Sequence, residues 1–174
     1  LSLSDILRRS SNVGASRVAM SMHKQELWES FKNYGFGEAS GVSFPGESSG
    51  YFPHHSQWQP LDHATMGFGY GMSVSITQLA RAYAVIANEG RLLDLSLLRK
   101  EVDTNPRNQI SRHVMKASTA RSIIEMLAQV VGPKGTAPLA AIPGYQVAGK
   151  TGTAKKSIAG GYQTLPYTQL TLPT

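Results

Sequence analysis

Residues 75–90, "SITQLARAYAVIANEG", constrain the fold more tightly than any other stretch of the chain. Ser75 and Gln78 stand in capping-box spacing, Ile76, Leu79, Ala80, Tyr83, Ile86 and Ala87 recur on one helical stripe, and Gly90 supplies the stop. An amphipathic helix is therefore predicted here, with that stripe against a core. Weaker helical signals precede it. Leu3, Ile6 and Leu7 begin a helix that gives out at "SSN", residues 13–22 resume it, and Leu27, Trp28, Phe31 and Tyr34 form a stripe closed by Gly35. Residues 37–62, dense in Gly, Pro, Ser and His, read as loop. Residues 91–114 read as strand or loop with a turn near Asn105-Pro106, and 118–131 as a second amphipathic helix ending at Gly132-Pro133. Alternation suited to strands comes late, at 145–154 and more weakly at 167–172. Helices first and an antiparallel-looking sheet last argue for the α+β class.

The 174 residues suit one domain with a sizeable core. No apolar run is long enough to span a bilayer, and nothing marks a signal peptide. The opening "LSLSDILRR" reads as the interior of a domain. With no cysteine there is neither a disulfide framework nor a thiolate metal site, so the redox compartment stays open. The formal charge of +6 favours acidic partners. Because the basic residues are scattered without aromatic interleaving, nucleic acid is not expected among them.

Near the end stands "GYQVAGKTGTAKK", whose first eight letters satisfy the phosphate-loop pattern G-x-x-x-x-G-K-[ST]. That motif needs a strand before the glycine turn and a helix after it. Here Pro143 precedes the first glycine, Gly152, Gly160 and Gly161 interrupt the downstream segment, and the intervening Tyr-Gln-Val-Ala reads as a strand itself. As an exposed strand, it puts Gln146, Ala148, Lys150 and Gly152 on one face and Val147, Thr151 and Thr153 on the other. A cation beside a residue without a side chain lets a ligand backbone approach while the cation meets a negative group. A solvated lysine guarding an edge strand explains the same letters when they are taken alone.

A second motif alters that balance. "RSSNVG", residues 9–14, lies where one helix ends and the next begins, a junction that reads either as a plain cap or as a hydroxyl and an amide facing a cleft. Ser-x-Asn early and Lys-Thr-Gly on a late strand match two of the three signatures of the penicillin-binding serine acyl-transferases. "GFGYGMSVSITQLARAYAVIANEG" resembles a stretch of the class B penicillin-binding proteins, and the spacing of "LRRSSNVG" and "GKTGTAKK" is most similar to their division-specific peptidoglycan D,D-transpeptidases, the penicillin-binding protein 3 type. The similarity runs from the start to about Lys156.

The resemblance implies a transpeptidase fold, residues 1–174 being a partial domain with helices and an antiparallel sheet, incomplete at both ends. It implies crosslinking of peptidoglycan stem peptides in cell division, acylation by β-lactams, no cofactor, and divisome partners including a glycosyltransferase. It also implies a periplasmic catalytic domain held at the bacterial inner membrane by an anchor outside this chain. Residue by residue, Ser10 would relay protons, Asn12 would bond the substrate amide, and Lys150 would supply positive potential. Thr151 and Thr153 would hold the substrate carboxylate, the Thr153 N–H would form half of an oxyanion hole, and Gly152 would keep the strand open.

The departure is the nucleophile. The one Ser-x-x-Lys, "SMHK" at Ser21 and Lys24, comes after Ser-x-Asn instead of preceding it, and falls at the end of a predicted helix without the N–H groups of a helix start. The chain is therefore expected to be a catalytically silent piece whose nucleophile helix lies elsewhere. "TLPYTQLTLPT" matches the family poorly and reads as a divergent or altered terminus. His54, His55 and His63 are assigned to a surface loop, and no ligand spacing supports zinc. Met66, Met72 and Met126 are assigned to the core. Two alternatives to the transpeptidase remain at this point: a serine β-lactamase-related hydrolase, for which no local Glu motif suggests a deacylation base, and a nucleotide-binding module.

Overall fold

The computed structural model describes residues 1–42, 44–97, 111–152, 155–158, 161–164 and 169–173. In chain order its elements are α1 (Leu3–Arg8), α2 (Asn12–Met20), α3 (Lys24–Asn33), α4 (Pro60–Met66), α5 (Ile76–Ala87), β1 (Arg91–Leu93), β2 (Ser111–His113), α6 (Ala117–Val131), β3 (Val147–Thr151), β4 (Lys155–Ile158), β5 (Gly161–Thr164) and β6 (Gln169–Pro173). Single 3-10 turns occupy His55–Gln57 and Pro138–Ala140. Helices and antiparallel strand pairs bear out the α+β expectation. The expected turn at Asn105-Pro106 lies outside the described residues. Among those described, no helix is long and apolar enough to cross a membrane. Two compact units result, one of Asn12–Arg121 and one of Leu1–Ser11 with Ser122–Thr174.

In the unit Asn12–Arg121, α2 packs on α4 and α3. Their core is Ala19, Leu27, Trp58 and Met66, with Met22, Trp28, Phe31, Phe52 and Met72 closing around it. Helix α4 departs from the sequence expectation, which places a loop as far as residue 62. Its signal is present locally: Pro60 takes the first helical turn, and the Gln59 N–H donates to Asp62 Oδ2 at 2.9 Å in a reciprocal cap. His63 consequently lies on a helix, its ring tilted against Trp58, while the rings of His54 and His55 meet Trp28 edge-on. Met66 is buried in the core as expected, Met72 packs half-buried against it, and Met126 on α6 is half-buried too.

Helix α5 opens as its sequence predicts. Ser75 Oγ accepts from the Gln78 N–H at 3.1 Å and Gln78 Oε1 accepts from the Ser75 N–H at 2.8 Å. The buried face is a different one, however. Gln78, Ala82 and Val85 are buried, Leu79, Tyr83 and Ile86 are half-buried, and Ile76 is 79% exposed. The cause is Gln78, whose Nε2 donates inward to Glu38 O at 2.6 Å and Ser49 O at 2.8 Å. A hydropathy stripe assigns such a residue to solvent, although a fully bonded amide is stable inside. Gln78→Leu, which strands both carbonyls, is expected to cost about 2 kcal/mol of stability, read as a lower urea-unfolding midpoint. After α5 the chain turns at Gly90, φ +85°, where any side chain would collide with the Met115 carbonyl, and runs into β1 paired antiparallel with β2, Arg91 opposite His113.

The second unit joins α1 to the end of α6 and the late strands. Leu127, Val130, Val131, Ala137, Val147 and Ala148 are its buried apolar residues. The strand expected over 145–154 is β3, which starts two residues later and ends at Thr151, Gly152 following it; positions 153 and 154 lie outside the described residues. It pairs antiparallel with β6, Val147 opposite Pro173 and Thr151 opposite Gln169, while β4 and β5 form a separate hairpin.

Candidate active site

The site begins with how α1 ends. Arg9 caps the helix, the Ser10 N–H donates to Leu7 O at 3.2 Å, and the Ser11 N–H donates to Ile6 O at 3.0 Å. This pair of bonds closes a helix through one residue in the left-handed region, a place usually taken by glycine. Here Ser10 takes it, with φ +54°. A side chain in that conformation costs on the order of 1 kcal/mol, and such strain gathers at functional positions. The strained turn aims the hydroxyl at β3: Lys150 Nζ donates to Ser10 Oγ at 2.7 Å across 140 residues of sequence.

Strand β3 itself corrects an expectation. Its alternation predicts an exposed strand, yet Val147, Ala148 and Gly149 are all buried, so both faces are covered until Lys150. A short strand covered on both sides reads as a continuous run of small and apolar letters, as "VAG" does. Lys150 emerges half-buried at the end of that run, donating also to Thr151 O at 2.8 Å. Burial pushes its pKa below the ordinary lysine value. Among the described residues no carboxylate pairs with it. The result is a partly desolvated cation whose potential is available to an incoming anion.

Thr151 brings in a residue that sequence reasoning missed. Its Oγ1 lies 2.9 Å from Thr136 Oγ1. Thr136 is held by the turn after α6, where the Gly135 N–H donates to Gly132 O at 2.8 Å and the Ala137 N–H donates to Val130 O at 2.9 Å. A Cβ on Gly135 would be driven into the Val130 and Gln129 carbonyls, so the chain folds back this tightly only with glycine there. The letters "GPKGTA" mark a turn, but nothing in them says which strand the threonine faces.

The remaining expected residues divide. Gly152 is exposed after β3, and Thr153 lies outside the described residues. Asn12 is the exposed first residue of α2 and belongs to the other compact unit. Ser21 sits in the turn after α2, exposed, with its hydroxyl donating to Val18 O at 2.7 Å, while Lys24 opens α3. The phosphate-loop reading fails on geometry. Lys150 and Thr151 lie inside a strand instead of at the start of a helix, and the next described element is β4.

The lysine of Lys-Thr-Gly, at the end of β3, thus reaches the first serine of Ser-x-Asn, at the end of α1. The chain belongs to the penicillin-binding protein transpeptidase domain family, whose profile matches residues 1–171. It is 43% identical over 149 residues to the probable peptidoglycan D,D-transpeptidase PbpC of Pseudomonas aeruginosa, covering 85% of this chain and 25% of that protein. It is 37% identical over 148 residues to the peptidoglycan D,D-transpeptidase FtsI of Escherichia coli, covering 85% and 24%. Among solved structures it is similar to the transpeptidase domain of penicillin-binding protein 3 from Burkholderia pseudomallei, with a TM-score of 0.87 and 41% identity over 94% of this chain and 48% of that one. The chain thus spans about a quarter of the length of these curated relatives. Their names support neither the hydrolase nor the nucleotide-binding alternative.

Proposed function

We propose that residues 1–174 are the C-terminal portion of the transpeptidase domain of a class B peptidoglycan D,D-transpeptidase, of the type that acts in cell division and is acylated by β-lactams. The observation that carries this reading is the 2.7 Å hydrogen bond from Lys150 to Ser10. By accepting from the ammonium, the Ser10 hydroxyl keeps its own proton to donate, which suits a relay toward the departing nitrogen. In this reading Lys150 would supply positive potential to the substrate's terminal carboxylate and the developing oxyanion, Thr151 and Thr153 would donate to the carboxylate, Gly152 would keep the approach open, and Asn12 would bond the substrate amide. The attacking serine comes from a Ser-x-x-Lys outside these residues. It displaces the terminal D-alanine to form an ester, and an amine of a neighbouring stem peptide then takes the acyl group from the serine. The substrates are stem peptides. The partners are divisome proteins, and the setting is the periplasmic face of the inner membrane.

The test uses the full-length protein and this chain side by side. The full-length protein is expected to join a stem-peptide donor to an amine acceptor, seen by mass spectrometry, and to be labelled by a fluorescent penicillin. This 174-residue chain alone is expected to remain unlabelled after denaturing electrophoresis. Release of hydrolysed donor without crosslinked product would favour the hydrolase. No adduct on the full-length protein would sink the acyl-transfer reading, and a label on Ser21 would make "SMHK" the nucleophile.

A further inference from the structure

Arg8 lies two residues before Ser10, and Lys134 two residues before Thr136. The Arg8 guanidinium joins these two places. Its Nη2 donates to Asp5 Oδ1 at 2.6 Å and its Nη1 donates to the Lys134 carbonyl at 3.0 Å. The side chain is 18% exposed, against 60% for the neighbouring Arg9, whose Nε stays 3.9 Å from the same carboxylate. Asp5 is itself fixed, since its backbone N–H donates to Ser2 Oγ and its Oδ2 accepts from that hydroxyl, both at 3.1 Å. The Arg8 hydrogen bond, and then that of Ser2, holds the Asp5 carboxyl below its usual pKa.

Traced onward, these contacts close a ring. Arg8 leads through Arg9 to Ser10, whose hydroxyl takes the Lys150 ammonium; Lys150 is bonded in sequence to Thr151, whose hydroxyl meets Thr136. Thr136 leads back through Gly135 to the Lys134 carbonyl that Arg8 holds. Without Arg8, among the hydrogen bonds of the described residues that form this ring, the Ser10 and Thr136 turns are linked only through Lys150 and Thr151 of β3.

We propose that Arg8 is a positioning residue for acyl transfer, tying the Ser10 turn to the Thr136 turn so that both hydroxyls are set on β3 together; this rests on the transpeptidase reading of the site. Arg8 touches no reacting atom. Its effect is on geometry alone, and small displacements of positioned groups are costly to the chemical step. Arginine suits the task because its planar fork can meet a carboxylate and a carbonyl at once, whereas a lysine ammonium is a point charge without that fixed geometry.

The experiment measures acylation of the full-length protein by a penicillin in stopped flow, resolving the chemical rate constant from the initial binding constant. Arg8→Ala is expected to lower the chemical rate constant roughly tenfold, as misplaced groups do, while changing initial binding less. Arg8→Lys is expected to recover part of the loss. Thr136→Val should slow acylation too, and the double variant should fall short of the product of the two single effects, since both open the same ring. An unchanged rate constant for Arg8→Ala, or two effects that multiply independently, overturns the proposal. If Arg8→Ala does not fold, Asp5→Asn decides: a reduced rate constant supports the proposal and a full one overturns it. Lys150→Ala in the same assay separates the two readings. If it leaves acylation intact, the transpeptidase site fails; if it abolishes acylation while Arg8→Ala does not slow it, only the positioning role fails.

Discussion

Replacing Lys150 with alanine in the full-length protein is expected to slow acylation by penicillin about a hundredfold or more, the scale of removing one preorganised electrostatic contact from a transition state. The reason is local. The ammonium is partly desolvated, bonded to Ser10 Oγ and Thr151 O, and unpaired with any carboxylate among the described residues. Its field is therefore not already spent on a neighbouring acid. The loss should not be a folding defect. Burial lowers the Lys150 pKa, so the unfolded chain binds this proton more tightly than the folded one. The lysine thus disfavours the fold at neutral pH, and this penalty fades as pH rises from the folded pKa toward the unfolded one. Acylation by the unaltered protein should decline over the same alkaline range as the ammonium deprotonates, at a pH below that of an ordinary lysine. An unchanged acylation rate in Lys150→Ala would make this a surface lysine.

Ser10→Gly should separate function from stability even more cleanly. Glycine adopts φ +54° without the clash that a side chain brings, so the end of α1 is expected to hold as well as before or better. The hydroxyl that accepts from Lys150, and that the proposed proton relay needs, is gone, however. Positioned proton transfer contributes roughly 100-fold or more, so acylation should fall by about that factor while the melting temperature stays level or rises. Ser10→Ala supplies the contrast, because it loses the hydroxyl and keeps the strained backbone. If Ser10→Gly retains full acylation, the serine is only a helix terminator.

How much of the fold and site is legible in the sequence varies with the range of the interaction. The cap of α5 can be read from Ser75 and Gln78, because the groups that bond are three residues apart. The same Gln78 misleads as to that helix's buried side, since its inward partners are the carbonyls of Glu38 and Ser49. Helix α4 is legible in Gln59, Pro60 and Asp62 but is hidden by the loop-like composition around it. Lys150 and Ser10 are marked by motif, and their pairing is expected only through resemblance to a family. Thr136 and Arg8 carry no signal. A threonine after glycine and an arginine in a short helix are ordinary letters until their partners are known.

The sequence by itself determined the cap and stop of α5, the α+β order and the strand that carries Lys150, because each depends on backbone preferences and on side chains within about one helical turn. Only the tertiary structure decided that Ser10 would occupy the left-handed position at the end of α1, that β3 would be covered on both faces, and that Arg8 would reach the Lys134 carbonyl. Those outcomes depend on groups up to 140 residues apart. Their geometry exists only once α1, the turn after α6 and β3 have packed into one unit, where a half-buried ammonium finds the Ser10 hydroxyl, and the Thr136 and Thr151 hydroxyls find each other, in place of the hydrogen bonds that water would otherwise supply.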